Sequence, residues 1–278
     1  MNYFKSFLVK PGTKVKLSRI DAAFKDKHES HQAAQPEIEK HRRKLSELQY
    51  RLYAEGKQSL LVCLQAMDSA GKDGTVNHVL SAMNPQGCAV HGFKRPSAED
   101  AAHDFLWRIH KACPRKGQVT IFNRSHYEDV LIARVHDLVP KRVWSKRYEQ
   151  INHFEQLLAA NHTTIIKLYL HITKEEQLAR FKQRIDDPAR HWKISEGDYA
   201  ERAFWEDYEK AYETALSRCS TPYAPWFVIP SNHKWFRNLA VSQIMAKTLE
   251  AMAPKFPAPS VDMEEIRKKY HAAELASE

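Results

Sequence analysis

The chain has 278 residues and a formal net charge of +9, with 28% of its residues charged. This length suits one large α/β domain with an appended module, and the basic excess indicates an anionic partner. The four cysteines show neither paired nor metal-ligand spacing, which argues against a zinc site or a disulfide framework. Because no uncharged apolar run of about 18 residues occurs, we expect a cytoplasmic protein without a membrane span.

The N-terminal region divides into an irregular arm and a helix. Residues 1–35 show no clear periodicity and end in the polar run KDKHESHQAAQP. From Pro36, apolar residues recur at helical spacing as far as Leu52, and Gly56 follows as a C-terminal stop. We therefore predict an arm over 1–35, followed by a helix that packs on the core by one face.

Beyond Gly56, short apolar runs alternate with amphipathic helices. The runs predict five strands, at 59–65, 88–93, 118–122, 164–172 and 226–229. Such alternation favours a parallel sheet covered by helices on both faces. The chain from Pro254 is interrupted by prolines and then charged, which is typical of a peripheral tail. The predicted organisation is an arm (1–35), one α/β domain (36–258) with a helical insertion near 173–216, and a tail (259–278).

The segment MDSAGKDGT follows the first predicted strand and opens a helix. In a parallel α/β sheet, ligands bind outside the carboxyl ends of the strands, so this segment is well placed to bind phosphate. Its small residues let consecutive backbone N–H groups converge on phosphate oxygens, and Lys72 adds a positive charge. The predicted phosphate-binding loop comprises Ser69, Ala70, Gly71, Lys72, Asp73, Gly74 and Thr75.

Two positions depart from the usual phosphate-binding loop. Ala66 replaces its first glycine, and Asp73 replaces the hydroxyl residue that normally contacts Mg²⁺. Thr75 is one candidate to supply that hydroxyl, but Asp68 is the better metal ligand. A carboxylate in an anion-binding loop repels phosphate unless a divalent cation lies between them, so we predict a requirement for Mg²⁺, with Mn²⁺ as an alternative ion. A plain glycine turn with an incidental lysine is the other interpretation.

A second polar segment, NRSHYED, follows the strand at 118–122. It occupies the position of a Walker B carboxylate, and Asn123 and Glu128 are predicted to bind metal and nucleotide. Arg124 offers a planar fork of donors suited to phosphate, although it could instead pair with a neighbouring carboxylate. Lys94 and Arg95 lie between a strand and a helix N-terminus, where we predict that they bind the phosphate of an acceptor nucleotide.

The segment LARFKQRIDDPARHWKIS (178–195) predicts a basic helical hairpin between two strands. Leu178 and Ile185 are predicted to pack on the core together with Phe181, while the arginines occupy the more exposed side. Such a hairpin is similar to the lid of a nucleotide kinase, which closes arginines over the transferring phosphoryl group. A solvated charged face is the alternative. The predicted phosphate-binding cations of this lid are Arg180, Arg184 and Lys193.

At these residues the sequence resembles the type 2 polyphosphate kinase family, over nearly the whole chain from Val9 to about Pro257. The similar motifs are AMDSAGKDGT, NPQGCAVHGFKRPS, HDFLWRIH, IFNRSHYEDVL, DPARHWKIS and TPYAPWFVIPSNHKWFRN. The fourth motif has Asn-Arg in place of Asp-Arg, which is similar to the class III members of the family.

The resemblance implies a thymidylate-kinase-like, three-layer α/β/α P-loop fold with a five-stranded parallel sheet and a helical lid. It also implies Mg²⁺ dependence and assembly as a homodimer or homotetramer. The implied reaction transfers a phosphoryl group from inorganic polyphosphate to AMP and ADP, giving ADP and ATP, with guanine nucleotides as further acceptors.

Several positions match the family's site residues. Asp68 is implied as the metal-binding residue of the loop, and Lys72 as the lysine on the transferring phosphate. Asp187 matches a lid position, as do Arg184 and Lys193. The predicted catalytic set is Asp68, Lys72, Asn123, Arg124 and Arg184.

Two other functions fit the same residues. An ATP-dependent nucleoside or nucleotide kinase shares the loop, the arginines and the lid, and differs by an adenine pocket on the donor side. A basic nucleic-acid-binding protein on an α/β core accounts for the charge, but the sequence contains no recognition motif for groove or base. We therefore expect neither a nucleic-acid partner nor a membrane partner.

Overall fold

The computed structural model describes residues 1–277, and its centre is a sheet of five parallel strands. The strands are β1 (Ser59–Ala66), β2 (Cys88–Gly92), β3 (Val119–Asn123), β4 (Thr163–His171) and β5 (Trp226–Pro230), in the spatial order β2-β3-β1-β4-β5. Each predicted strand is confirmed, with its ends displaced by no more than one residue. Because β1 is central, the loop that follows it lies between the carboxyl ends of β3 and β4.

Helices cover both faces of the sheet. Since β1 is buried on both sides, its side chains alternate between the two helical layers. Leu60 and Val62 pack with the layer of α2, α3 and α11, whereas Leu61 and Cys63 pack with α5 and α7. The α-helices are α1 (Tyr3–Ser6), α2 (His31–Glu55), α3 (Lys72–Leu80), α4 (Ala98–Ala102), α5 (Trp107–Lys111), α6 (Ile132–Val135), α7 (Lys141–Ala160), α8 (Lys174–Asp186), α9 (Glu196–Arg202), α10 (Trp205–Cys219), α11 (Lys234–Met252) and α12 (Met263–Leu275).

The predicted three-layer α/β/α fold is therefore confirmed. The helical insertion between β4 and β5 is also present, as α8, a 3₁₀ segment (Pro188–Lys193), α9 and α10. Among the helices of residues 1–277, none combines the length and the apolar character that crossing a bilayer requires.

The N-terminal arm packs along the exposed edge of β5. Leu8 forms an antiparallel bridge with Phe227, and the N–H of Val228 donates to the carbonyl of Phe7 at 2.9 Å. Tyr3 is fully buried in the main core. An edge strand exposes unpaired backbone groups, so the arm satisfies part of this edge and shields it.

Two helix predictions were wrong in their bounds. Helix α2 begins at His31, where Ser30 caps it by accepting the N–H of Ala33, and not at Pro36. Pro36 lies inside the helix and costs it a single intrahelical bond, so proline does not mark the start here. The helix expected between β2 and β3, from the alternation of strands and helices, is instead two short helices, α4 and α5.

Helix α8 presents a different face to the core than predicted. Leu178 and Ile185 are 47% and 53% exposed, whereas Gln177 and Arg180 are buried. Only Phe181 of the predicted apolar stripe is fully buried. The two polar side chains tolerate burial because they donate hydrogen bonds to backbone carbonyls of the loop after β1. The lid is thus fixed to the loop by polar contacts.

We expect Tyr3→Ala to lower the free energy of unfolding by about 3–5 kcal/mol, the usual effect of deleting a buried aromatic ring. The matched control is Tyr270→Ala, because Tyr270 is 63% exposed. It should change the free energy by less than about 0.5 kcal/mol. Denaturant-induced unfolding followed by circular dichroism measures both. Equal values for the two variants would contradict the packing of the arm on the core.

Candidate active site

A cleft of about 810 Å³ opens at the carboxyl edge of the sheet. Its walls come from the loop after β1, the ends of β2 and β3, the lid, and the first turn of α11. Three aspartates line it, at positions Asp68, Asp73 and Asp198. Nine cations line it: Lys72, Lys94, Arg124, Arg180, Arg184, Arg190, Lys193, Lys234 and Arg237. This imbalance favours a ligand with several negative charges.

The loop after β1 curls by means of two left-handed residues. Ser69 has a φ of 65° and Gly71 a φ of 105°, and α3 begins immediately afterwards at Lys72. Gly71 is the N-cap and has no side chain to cap the first turn, so the leading N–H groups of α3 remain open to an anion. The hydroxyl of Ser69 is buried and has no hydrogen-bond partner within the described chain. The loop therefore has the polar groups and shape expected of a phosphate-binding loop.

Arg237, on α11, supports this loop and was not among the predicted site residues. It is buried, and its Nη1 donates to the carbonyl of Ala70 at 3.4 Å. A Cβ atom at Gly71 would lie 1.9 Å from that nitrogen, so any other residue there would have to displace the buried guanidinium. Burial and the neighbouring Arg180 lower the pKa of Arg237 to about 10. Arg237 follows the end of β5, and β5 ends at the same edge of the sheet as β1. This position in the sequence could have identified Arg237 as a site residue.

Arg180, on α8, is also committed to the backbone. Its Nη1 donates to the carbonyl of Ser69 at 2.9 Å, and its Nη2 donates to the carbonyls of Ser231 at 2.5 Å and Asn232 at 3.1 Å. Its Nε pairs with Glu176 at 2.7 Å. The guanidinium is therefore satisfied by protein acceptors, which favours a positioning role over the phosphate contact predicted from the sequence.

Three predicted catalytic residues meet where the cleft adjoins a second cavity of about 190 Å³. Lys72 points back along the loop and donates from Nζ to the carbonyl of Ala66 at 3.2 Å, and burial lowers its pKa. Arg124 has its Nη2 3.4 Å from Oδ1 of Asp68. Arg124 also has a φ of 64°, a strained conformation for a long side chain that occurs most often at functional sites.

The predicted metal ligands are shared between the two cavities. Asp68 lines both, whereas Asn123 lines only the large cleft and Glu128 only the smaller cavity behind Arg124. Asn123 donates from Nδ2 to Asp73 at 2.8 Å. Burial raises the pKa of Glu128. Burial alone would lower the pKa of Arg124, but the neighbouring carboxylates of Glu128 and Asp68 outweigh burial, and the pKa of Arg124 is raised.

The donor set nevertheless fits a magnesium ion shared with a substrate. In residues 1–277 no three His, Cys, Asp or Glu side chains form a metal cage. Mg²⁺ bound to phosphorylated substrates typically takes one or two carboxylates from the protein and its other ligands from phosphate and water. Asp68 and Asp73, the carboxylates nearest Lys72 in the sequence, are suited to that arrangement.

The remaining predicted residues divide between the cleft and its surroundings. Lys94, Gly74, Arg184 and Lys193 line the cleft, and Arg184 donates from Nη1 to the carbonyl of Lys193 at 2.6 Å. Thr75 does not line the cleft. Its hydroxyl donates to the carbonyl of Gly71 at 3.1 Å, so the hydroxyl is satisfied within the helix.

Ala70, Arg95 and Asp187 lie outside the lining of both cavities. Ala70 contributes its carbonyl to Arg237, and Arg95 is exposed. Asp187 accepts the N–H of Ala189 at 3.0 Å and pairs with Arg190 at 2.8 Å, so it stabilises the turn of the lid. The cleft residues absent from the prediction are Gly92, Phe93, Gln183, Arg190, Asp198, Lys234 and Arg237.

A buried polar network fixes the segment that carries Arg124. Lys167 of β4 donates from Nζ to Glu155 at 2.5 Å and to the hydroxyl of Tyr127 at 2.9 Å. His126 forms a hydrogen bond to the other oxygen of Glu155 at 3.1 Å. All four side chains are fully buried. Burial alone would raise the pKa of Glu155, but Lys167 and His126 lower it, so the carboxylate stays ionised.

We expect Gly71→Ala to reduce kcat/KM for phosphoryl transfer by about 100-fold, because displacing a positioning element by roughly 1 Å has this effect. Gly12→Ala is the matched control. Gly12 also has a positive φ, of 78°, but a Cβ atom there meets nothing within 4 Å. Steady-state kinetics at equal folded protein measures both variants. Similar losses in the two would show that backbone strain, and not the contact with Arg237, is responsible.

The comparisons with known proteins agree with this geometry. The family model described as Polyphosphate kinase 2 matches residues 27–257. An AMP/ADP-polyphosphate phosphotransferase of Meiothermus ruber is 47% identical over 94% of this chain and 98% of its own. An ADP-polyphosphate phosphotransferase of Rhodopseudomonas palustris is 44% identical over 91% of this chain and 92% of its own.

A solved structure of this family is also similar to this chain. The crystal structure of Polyphosphate Kinase 2 from Arthrobacter aurescens TC1 has a TM-score of 0.94 and 40% identity, and the match covers 98% of this chain and 97% of that one. The family model and both relatives extend over most of the fold, including the loop, the lid and the end of β5. The chain belongs to the polyphosphate kinase 2 family.

Proposed function

We propose that this protein transfers a phosphoryl group from inorganic polyphosphate to AMP and ADP, giving ADP and ATP. The observation that carries the proposal is the cleft at the end of β1, where nine cations face three aspartates. Its ligand must carry many negative charges close together, as polyphosphate does. The names of the relatives from Meiothermus ruber and Rhodopseudomonas palustris support the same donor and acceptors.

The residues of the cleft divide the work of phosphoryl transfer. The transition state of this reaction is loose, so positioning and charge neutralisation provide most of the acceleration. Lys72 and the open N–H groups of α3 are placed to hold the transferring phosphoryl group. Arg184 and Lys193 of the lid hold the donor chain, while Lys94 at the end of β2 holds the acceptor phosphate.

In this proposal Arg124, whose Nη2 lies 3.4 Å from Oδ1 of Asp68, contacts the phosphoryl group during its transfer from donor to acceptor. Its five donors and permanent charge suit the oxygens on which negative charge increases during transfer. Asp68, together with Asp73, would hold a divalent cation, with Mg²⁺ as the first choice and Mn²⁺ as the alternative. Such an ion supplies neutralisation of phosphate oxygens that would otherwise repel both carboxylates.

The lining of the cleft argues against ATP as the donor. Phe93 is the one aromatic side chain among the described residues that line it, and it lies beside Lys94 on the acceptor side. A donor adenine site would need an apolar or aromatic surface near the lid. On the cleft side the lid presents the cations Arg184, Arg190 and Lys193, and its aromatic residues Trp205, Tyr208 and Tyr212 line the smaller cavity instead.

The proposal extends to acceptors and assembly. Because the residues that line the cleft are mostly charged groups suited to phosphate, GDP should serve as an acceptor as well as ADP. Assembly as a homodimer or homotetramer is proposed on the resemblance to the family. Both statements can be checked on the purified protein, by nucleotide chromatography and by light scattering.

The direct test incubates the protein with Mg²⁺, polyphosphate and AMP or ADP, and measures ADP and ATP by chromatography. We expect Lys72→Ala and Asp68→Asn each to reduce turnover by at least about 100-fold, since removal of a single charge-stabilising group has this effect. Lys57→Ala is the control, because Lys57 is exposed and outside the cleft. A wild-type protein that forms nucleotide only with ATP or GTP as donor would refute the proposal.

The pH dependence of kcat/KM is expected to show the titration of Lys72. Burial lowers the pKa of its ammonium group, so the proton is lost at a lower pH than from an exposed lysine. Polyphosphate affinity should therefore fall as pH rises through that pKa, below the ordinary value of about 10.4. In the variant Lys72→Arg the side chain stays charged, so the alkaline limb of the pH profile of its residual activity should shift to higher pH. An unchanged limb would assign the titration to another group.

A further inference from the structure

Much of the chain's positive charge lies outside the lid. Residues 1–35 contain seven Lys and Arg and three Asp and Glu, so they contribute +4 of the net +9. The lid segment 173–216 contains eight Lys and Arg and eleven Asp and Glu, which gives it a negative balance. The basic excess therefore belongs in large part to the N-terminal arm, for which the proposed reaction assigns no role.

The arm forms a cavity of its own, which we call the arm cavity. It has a volume of about 450 Å³ and lies between residues 5–20 and Val228 of β5. No carboxylate of the described chain lines it. The cations around it are Lys5, Lys10, Lys14, Lys16 and Arg19.

Most of these cations have no counterion. Lys16 pairs with Glu213 at 2.8 Å. The other four are exposed and form no ion pair within residues 1–277. A group of unpaired cations without a nearby carboxylate attracts a polyanion, and its attraction falls as salt concentration rises.

The backbone beneath these cations is held firmly. The N–H of Val9 donates to the carbonyl of Trp226 at 2.9 Å, and its carbonyl accepts from the hydroxyl of Ser220 at 2.6 Å. The N–H of Val15 donates to the hydroxyl of Ser217 at 2.8 Å. The lysines are therefore flexible side chains on a fixed frame, which suits a polymer without a unique conformation.

The arm leads from this cavity to the edge of the sheet that carries the active site. The carbonyl of Ile20 forms a hydrogen bond with His171 at the end of β4, at 3.2 Å. The carbonyl of Ala22 accepts the N–H of Asn232 at 3.0 Å, and the carbonyl of Asn232 in turn accepts from Arg180. One residue thus contacts both the arm and an arginine of the cleft.

We propose that the arm cavity binds a distal stretch of the same polyphosphate chain whose end occupies the cleft. This inference rests on the proposed function, because it assumes polyphosphate as the donor. Binding at two places holds a released chain near the cleft, so a long donor should have a higher apparent affinity than a short one. The cavity offers no exposed aromatic platform for bases, which favours polyphosphate over single-stranded nucleic acid.

The test removes charge from the arm without touching the cleft. The variant Lys5→Gln, Lys10→Gln, Lys14→Gln retains the fold, because all three side chains are exposed and unpaired. The matched control, Lys57→Gln, Lys116→Gln, Lys269→Gln, removes three exposed charges elsewhere on the chain. Thermal unfolding midpoints equal to that of the wild type verify folding of both.

The readout is KM for long-chain polyphosphate and for linear hexaphosphate, at saturating ADP. We expect the arm variant to raise KM for the long chain about 10-fold, with KM for hexaphosphate and kcat unchanged, and the control to change neither. Binding of labelled long-chain polyphosphate should also depend less on salt. The slope of the logarithm of the binding constant against the logarithm of salt concentration should become shallower by about 2, because three contacts contribute roughly 0.7 each.

Two results would overturn the inference while leaving the proposed function intact. One is an arm variant whose KM for the long chain equals that of the control. The other is an arm variant that loses affinity for a single-stranded oligonucleotide but not for polyphosphate, which would assign the arm cavity to nucleic acid. Failure of the proposed function is distinct, since the wild-type protein would then form no ATP from polyphosphate of any length.

Discussion

The active site depends on holding like charges together before any substrate arrives. Arg180 and Arg237 are both buried beside the loop after β1, and burial together with the charge of Arg180 lowers the pKa of Arg237. Backbone carbonyls of the loop and of the chain after β5 accept their hydrogen bonds and so make burial tolerable. In the proposed reaction, a phosphate chain in the cleft would bring negative charge to these arginines and so relieve their repulsion.

One of these peptide groups also leaves a donor open. In a trans peptide the C=O and N–H groups point in opposite directions. The carbonyl of Ala70 faces Arg237 and so directs the N–H of Gly71 away from it, whereas the N–H of Ala70 donates within the loop to the carbonyl of Met67 at 3.2 Å. Gly71 is required because the guanidinium of Arg237 fills the space that a side chain would take. The arginines therefore support the loop on one side, and the free N–H groups of the loop are open to a ligand on the other side.

Arg124 is held by a different means. Its strained backbone is followed by His126 and Tyr127, which are fixed in the core by the buried pair of Glu155 and Lys167. Breaking such a pair leaves an uncompensated buried charge, so the network strongly opposes relaxation of this segment. Fixed polar groups that need no rearrangement are what electrostatic catalysis of phosphoryl transfer requires.

The sequence by itself determined the five strands, the phosphate-binding loop, and the placement of Asp68, Lys72, Asn123 and Arg124, because these features are local: each residue follows a buried apolar run within a few positions. Only the tertiary structure decided which face of α8 is buried, that Arg180 supports the loop, and that Arg237 and Lys234 join the site. Those outcomes depend on β5 and the lid meeting β1 across the sheet. Contacts between residues more than 100 positions apart leave no periodic signal in the chain, and a buried arginine satisfied by distant carbonyls looks, in sequence, like an exposed one.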